Sequence, residues 1–366
     1  MPQTLRSLSY IRAISPYLPG KPITQLAREL GLPIERIVKL ASNENPLGAS
    51  PKAKAAAVEA LADVARYPDP YALTAALAAR HGVTEGQIVL GNGSNDVLDM
   101  VARVYLDSGR SAIYSQYAFA VYPIATLSVG GEGISVPARA YGHDLEAMLA
   151  AIRHDTSVLW LANPNNPTGT FLPAENLRAF LAKVPEQVMV VLDEAYGEYL
   201  APEEAYDAVA WLAEFPNLII CRTFSKIYGL AGFRIGYGIA QAPVAELMNR
   251  VRHPFNCNNL ALAAAKAALS DRAFVEKSYA LNRQGMNDLM AEFSRLGLEY
   301  IASRGNFVAF RVGDGARVNQ KLLQAGVIVR PLAGYGMPEW LRVTIGTAEE
   351  NARFLSALPG CLADDN

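Results

Sequence analysis

The chain is poor in the residues that build metal centres and disulfide frameworks. Its 366 residues include three cysteines, Cys221, Cys257 and Cys361, and four histidines, His81, His143, His154 and His253. No CxxC pair exists, and the histidines show no metal-ligand spacing, so neither a structural zinc nor a disulfide scaffold is expected. An excess of one charge is lacking too: 33 Lys+Arg stand against 35 Asp+Glu, a formal net charge of −2. That leaves no electrostatic footprint for nucleic acid, although a local arginine cluster can still hold a small anion. Long apolar runs are also missing. Val188–Leu192 and Leu218–Cys221 are among the longest and have only strand length, so no membrane span is expected. Arg6 and Arg12 interrupt the N-terminal segment, which argues against a signal peptide. With 51% hydrophobic and 19% charged residues, the expectation is a globular, cytoplasmic protein long enough for two domains.

What is present is an alternation of short apolar runs with longer amphipathic stretches. Ile88–Leu90 precedes a glycine turn and the periodic segment Val97–Leu106. Ser157–Leu161 precedes a turn and then Ala174–Val184, with Pro173 as a helix opener. Val188–Leu192, Leu218–Cys221 and Ile235–Ile239 continue the pattern. Continuous β-branched runs of this kind suit parallel strands buried on both faces. The reading is an α/β domain over 41–250. A smaller unit is expected from 1–40 together with 251–366, with helical periodicity to Leu296 and strands at Phe307–Val312, Val327–Val329 and Leu341–Ile345.

Four polar clusters follow strands, where open α/β sheets bind ligands. Gly91-Asn92-Gly93-Ser94-Asn95-Asp96 opens a helix, whose free N–H groups suit a phosphate. The dinucleotide fingerprint fails there, because Asp96 stands where it needs glycine. Taken alone, the cluster reads first as an ordinary strand-to-helix turn with Ser94 or Asn95 as N-cap. Asn163-Pro164-Asn165-Asn166-Pro167-Thr168-Gly169 is a proline-fixed loop that is either a plain turn or a rigid presenter of an Asn side chain. Asp193-Glu194-Ala195-Tyr196 puts a carboxylate at the end of a buried strand, where it needs a cationic partner or serves as a helix cap. In Arg222-Thr223-Phe224-Ser225-Lys226 a lysine lies between hydroxyls, with Gly229, Gly232 and Arg234 following. The glycines point to a special backbone path rather than a plain surface helix.

In combination and in this order, the clusters resemble the fold type I pyridoxal-phosphate enzymes, the aspartate aminotransferase superfamily. The resemblance is strongest to its histidinol-phosphate aminotransferase branch. It runs over nearly the whole chain and includes Pro16–Gly20, Asn43–Gly48, Arg66–Asp69, NPNNPTG at 163–169, DEAY at 193–196, SKIYGLAGFRIGY at 225–237, Val329–Pro331 and Leu341–Val343. The fold it implies is a large α/β domain with a mostly parallel mixed sheet covered by helices, plus a smaller α/β domain built from both chain ends.

The activity implied is transfer of an amino group from L-histidinol phosphate to 2-oxoglutarate. Aromatic or aspartate-type transamination, or decarboxylation of threonine phosphate, is the alternative on the same fold. The resemblance makes Lys226 the catalytic residue, joined to pyridoxal phosphate through its ε-amine and then free to move a proton. It assigns Asp193 to the pyridine nitrogen, Asn166 and Tyr196 to the phenolic oxygen, and Tyr117 to the ring face. Ser94, Asn95, Thr223, Ser225 and Arg234 would hold the cofactor phosphate. Tyr67 would reach that phosphate from the neighbouring subunit, which implies a homodimer. For the substrate it implies Arg342 as the anion fork, Arg330 for the substrate phosphate, Tyr17 as a cover and Asn43 as a contact. The segment Arg252–Asn259 resembles a family segment near the cofactor, with no role assigned. Cys257 reads as a small buried hydrophobe. The small-molecule amino donor and 2-oxo acid are the expected partners, with no metal.

Overall fold

In a computed structural model, which describes residues 6–363, the apolar runs of the middle of the chain form one seven-stranded sheet. Across it the order is Ile88–Gly91, Gly236–Ala240, Leu218–Thr223, Met189–Asp193, Thr156–Ala162, Ser111–Ser115 and Glu132–Val136. Neighbours are parallel except at Gly236–Ala240, which is antiparallel to both of its partners. The segment 224–235, which joins it to Leu218–Thr223, contains only the short turn Ala231–Phe233. Without a crossover helix the chain can only return in the opposite direction. Helices cover both faces. Leu159, Leu161, Val190, Leu192 and Ile220 face one core, and Val158, Trp160, Val191 and Ile219 face the other. Successive residues point to opposite sides of a strand, so burial of both sides accounts for the unbroken apolar runs.

The smaller unit centres on an antiparallel sheet ordered Arg330–Pro331, Trp340–Thr344, Phe307–Arg311 and Tyr300–Ile301. Phe293, Phe310 and Phe354 form its core, the first two stacked with centroids 4.6 Å apart. The strand expected at Val327–Val329 is one residue shorter: Val327–Ile328 pairs in parallel with Val38–Lys39, and the chain then crosses to the neighbouring sheet, where Arg330–Pro331 pairs with Trp340–Thr344. Leu40 lies in the small core, and Leu26, Ala27 and Ile37 pack with Ile328.

Two boundaries differ from the sequence reading. The helix Asn259–Leu269, assigned to the smaller unit by the division at 250/251, packs on Pro51–Ala60 and Tyr71–His81. Its Ala261, Ala264, Ala265 and Ala268 belong to the large core. Their small side chains let the helices approach closely. The long helix Arg272–Arg295 then spans the units, with Val275 and Tyr279 against the large core and Met286, Leu289 and Phe293 in the small one. At the other end, not all of residues 1–40 belongs to the small unit. The helix Ser9–Arg12 contacts Val121–Ser128, and the ring of Tyr10 lies against Gly130.

Candidate active site

The parallel strands end at one edge of the sheet, and the loops that follow them meet the small unit around a cavity of about 380 Å³. Its lining includes Tyr17, Asn43, Ser94, Asn95, Asn166 and Asp193. Tyr196, Thr223, Ser225, Lys226, Arg234 and Arg342 complete the sequence-derived set found there.

At one end of the cavity lies the start of the helix Ser94–Tyr105. Its N-cap position belongs to Gly93 (φ 80°), not to Ser94 or Asn95, and no side chain caps the helix. The uncapped N–H groups and the positive end of the helix dipole favour an anion. Glycine suits position 93 because its backbone, at φ 80° and ψ 165°, is one that other residues rarely adopt, and it leaves room for the Arg234 guanidinium beside it. Arg234 itself adopts φ 56° and donates from Nη1 to Ala231 O at 3.1 Å. The Ser225 N–H donates to Thr223 Oγ1 at 3.1 Å, which closes the turn that carries Lys226.

Asp193 ends a fully buried strand. Its carboxylate accepts from the Tyr122 hydroxyl at 2.8 Å and from the Ala195 N–H at 3.2 Å. Both donors are neutral. Burial pushes its pKa up to about 6, against the pull of the Tyr122 hydrogen bond. The Lys226 amine is held down to about 8 by burial first and by the charge of Arg342 second. Lys226 Nζ donates to Ser42 O at 3.4 Å and lies 5.6 Å from the centre of the Tyr196 ring. The Tyr196 phenol, pushed up to about 12 by burial, accepts from Asn43 Nδ2 at 2.8 Å. Arg342 is buried over the Phe307 ring and donates to Asn166 Oδ1 at 2.6 Å and Ala41 O at 3.0 Å. Its Nε has no partner, and burial lowers its pKa. A buried guanidinium held only by neutral acceptors is suited to bind an anion.

Three expected site residues lie outside the lining. Tyr117, assigned to the ring face, packs 6.2 Å from Tyr141, and the cavity presents Phe119 and Tyr122 instead. Arg330 holds the N-terminal segment: it donates to Leu18 O at 2.6 Å and stands 5.2 Å over the Tyr17 ring. Tyr67 is 80% exposed and stacks on Phe255 at 4.3 Å. The segment around Phe255 acts as a brace. Asn256 Nδ2 donates to Asp96 Oδ2 at 2.7 Å beside the helix start, and Asn259 Nδ2 donates to Asp63 O and Arg66 O, each at 3.1 Å. Cys257 is buried in the large core.

The sequence reading missed Tyr122, Phe119, Ser42 and Tyr335, which also line the cavity. It also gave no role to Glu194. Arg222 Nε and Nη2 both donate to its Oε2, at 2.9 and 2.7 Å, which answers one of the two acidic charges of the DEAY motif. Tyr122 sits in an apolar helix and stacks on Trp160, so nothing in its neighbourhood distinguishes it from a core residue.

The family model for aminotransferase class I and II matches residues 35–358. A histidinol-phosphate aminotransferase of Dechloromonas aromatica is 65% identical over 98% of this chain and 99% of its own. One from Thiobacillus denitrificans is 65% identical over 97% of this chain and 93% of its own. Among solved structures, the histidinol-phosphate aminotransferase of Sinorhizobium meliloti, in complex with pyridoxal-5'-phosphate, superposes with a TM-score of 0.89 at 29% identity, covering 99% of this chain and 98% of that one. An aspartate aminotransferase of Thermus thermophilus with maleate superposes with a TM-score of 0.84 at 25% identity, covering 98% and 100%.

Proposed function

The chain belongs to the class I and II aminotransferase family, and from that premise we propose that it transfers the amino group of L-histidinol phosphate to 2-oxoglutarate, with pyridoxal 5'-phosphate as cofactor. The carrying observation is the pairing in one cavity of a buried carboxylate, Asp193, and a half-buried amine, Lys226, neither with a salt-bridge partner among the described residues. A cofactor with a cationic ring nitrogen and an aldehyde answers both groups. Its phosphate fits the uncapped helix start beside Arg234.

The cofactor, when bound, supplies an electron sink for cleavage at the substrate α-carbon. The residues supply the rest. Lys226 Nζ would hold the cofactor aldehyde and would move a proton at the substrate α-carbon. Asp193 holds a proton on the ring nitrogen. Asn166 and Tyr196 bind the phenolic oxygen. Ser94, Asn95, Thr223, Ser225 and Arg234 hold the phosphate. Arg342, with its unpartnered Nε, receives the substrate anion. Arg330 takes the phosphate of histidinol phosphate, releasing Leu18 O as it does so, and Tyr17 covers the site. Phe119, which lines the cavity, or the neighbouring Tyr117 would flank the cofactor ring.

The same reading makes the enzyme a cytoplasmic homodimer. Among the described residues no helix is long and apolar enough to cross a membrane. Val58, Leu61, Val64, Tyr67, Tyr71 and Phe255 are exposed apolar side chains, and a second copy of the chain would cover them and receive Tyr67 at its cofactor phosphate.

The test is a half-reaction screen. Purified protein is expected to be yellow, and borohydride is expected to fix the colour to Lys226. Histidinol phosphate should bleach the colour faster than phenylalanine or threonine phosphate, with no CO2 released. A Lys226→Ala protein that still turns over overturns the mechanism. A coloured enzyme indifferent to histidinol phosphate overturns the substrate and leaves the family intact.

A further inference from the structure

Four buried polar side chains join the small unit to Tyr196. The Asn43 N–H donates to Thr344 Oγ1 at 2.9 Å, and Thr344 Oγ1 donates to Asn43 Oδ1 at 3.2 Å. Asn43 Nδ2 donates to the Tyr196 oxygen at 2.8 Å, and Asn306 Nδ2 donates to Asn43 O at 3.0 Å. All four residues are at most 3% exposed. Asn43 is held at φ 55°, a left-handed backbone that Asn tolerates better than most residues.

A backbone N–H can only donate, so Thr344 Oγ1 accepts from Asn43 N. The single hydroxyl proton of Thr344 is then free to go to the Asn43 amide, and an amide can receive it only at its oxygen. In that arrangement the Thr344 hydroxyl selects one of the two amide orientations. With the oxygen occupied, the NH2 group faces Tyr196. The Tyr196 oxygen therefore accepts, and its own proton remains to be given elsewhere. Tyr196 lines the cavity.

We propose that Thr344 is a positioning residue: its hydroxyl fixes the Asn43 amide so that the Tyr196 phenol points its proton into the cavity, ready to donate to an anionic ligand oxygen. In an isosteric variant without the hydroxyl, the Asn43 amide turns over. Its oxygen then takes the Tyr196 proton, and the ligand loses a donor. Asn306 assists by holding the Asn43 carbonyl. Neither residue touches the cavity; neither is in its lining. The inference rests on the pyridoxal-phosphate reading above, which supplies the anionic oxygen.

Cofactor-free protein, titrated with pyridoxal phosphate and followed by its visible absorption, tests this. Thr344→Val is expected to weaken cofactor binding about tenfold, the scale of one hydrogen bond to a charged oxygen. Thr344→Ser keeps the hydroxyl and should bind as the parent does. In a Tyr196→Phe background, Thr344→Val should have no further effect, because there is no phenolic proton left to redirect. Unchanged binding in Thr344→Val overturns the proposal. So does a Thr344→Ser variant as weak as Thr344→Val, or a loss that adds in full on top of Tyr196→Phe, since either outcome marks Thr344 as merely structural. A parent protein that takes up no cofactor at all instead overturns the underlying reading.

Discussion

Asp193 sets the balance between stability and activity in the cofactor-free chain. Below about pH 4 its carboxyl is protonated in both the folded and the unfolded chain. Between 3.8 and about 6 the unfolded chain releases the proton and the folded chain keeps it, so stability falls as pH rises. Above about 6 the folded protein carries the whole cost, roughly 3 kcal/mol. Asp193→Asn removes that cost and keeps an acceptor for the Tyr122 hydroxyl. We expect calorimetry of the cofactor-free variant to show a higher Tm at pH 8, with the gain gone at pH 4, while transamination drops about a hundredfold. A variant no more stable than the parent at pH 8 would show that Asp193 is not strained. The residue itself was legible because a carboxylate at the end of a continuous apolar run needs a cationic partner unless it caps a helix. Lys226 was legible from its place among hydroxyls after a strand, with glycines and Arg234 following. Tyr122 was not: its role comes from a hydroxyl reaching Asp193 across the fold, and an apolar helix conceals that. Tyr117 and Phe119 lie two residues apart, and periodicity cannot say which ring enters the cavity.

At the level of elements, the antiparallel strand Gly236–Ala240 is wedged against the phosphate end of the cavity. A Cβ on Gly236 would stand 2.5 Å from Ser94 N and 2.9 Å from both Arg222 O and Gly93 C. These are backbone atoms on both sides, so none can swing away. Gly236→Ala is therefore expected to cost about 1–3 kcal/mol of stability and to push the start of the helix Ser94–Tyr105 out of place. A lowered Tm together with weaker cofactor uptake would confirm it; parent-like values in both would refute it. Gly360→Ala, in the helix Ala348–Leu362 where nothing lies within 4 Å of the new Cβ, serves as the control that should not lower the Tm, since alanine is the better helix former. The strands were readable because burial on both faces leaves an unbroken apolar signature. The affiliation of Asn259–Leu269 was not. Alanine periodicity marks a helix and leaves its partner open, and here the partners are the helices Pro51–Ala60 and Tyr71–His81, about two hundred residues upstream in the sequence. The same limit hid the crossing from Val327–Ile328 in one sheet to Arg330–Pro331 in another, since two-residue pairings carry no periodicity.

For the whole molecule, a net charge of −2 says nothing about where the proposed dimer would form, but the exposed side chains suggest a surface to test. Val58 and Leu61 are 68% and 51% exposed, and with Val64 they recur every third residue along one helical stripe toward Tyr67. Exposed apolar side chains in such a row are what a second copy would bury. Glutamates at two of these positions would place like charges opposite each other across a twofold interface, where desolvation adds to repulsion. Val58→Glu combined with Leu61→Glu is therefore expected to sediment as a monomer. The pair lies on the surface, so the fold itself should keep its Tm at low concentration. If Tyr67 reaches the neighbouring subunit's phosphate site, the monomer must also lose cofactor affinity although every residue of its own cavity is intact. Sedimentation and cofactor titration on one sample separate the outcomes. A monomer with parent-like affinity removes Tyr67 from the site and keeps the dimer, and a variant that remains dimeric places the interface elsewhere.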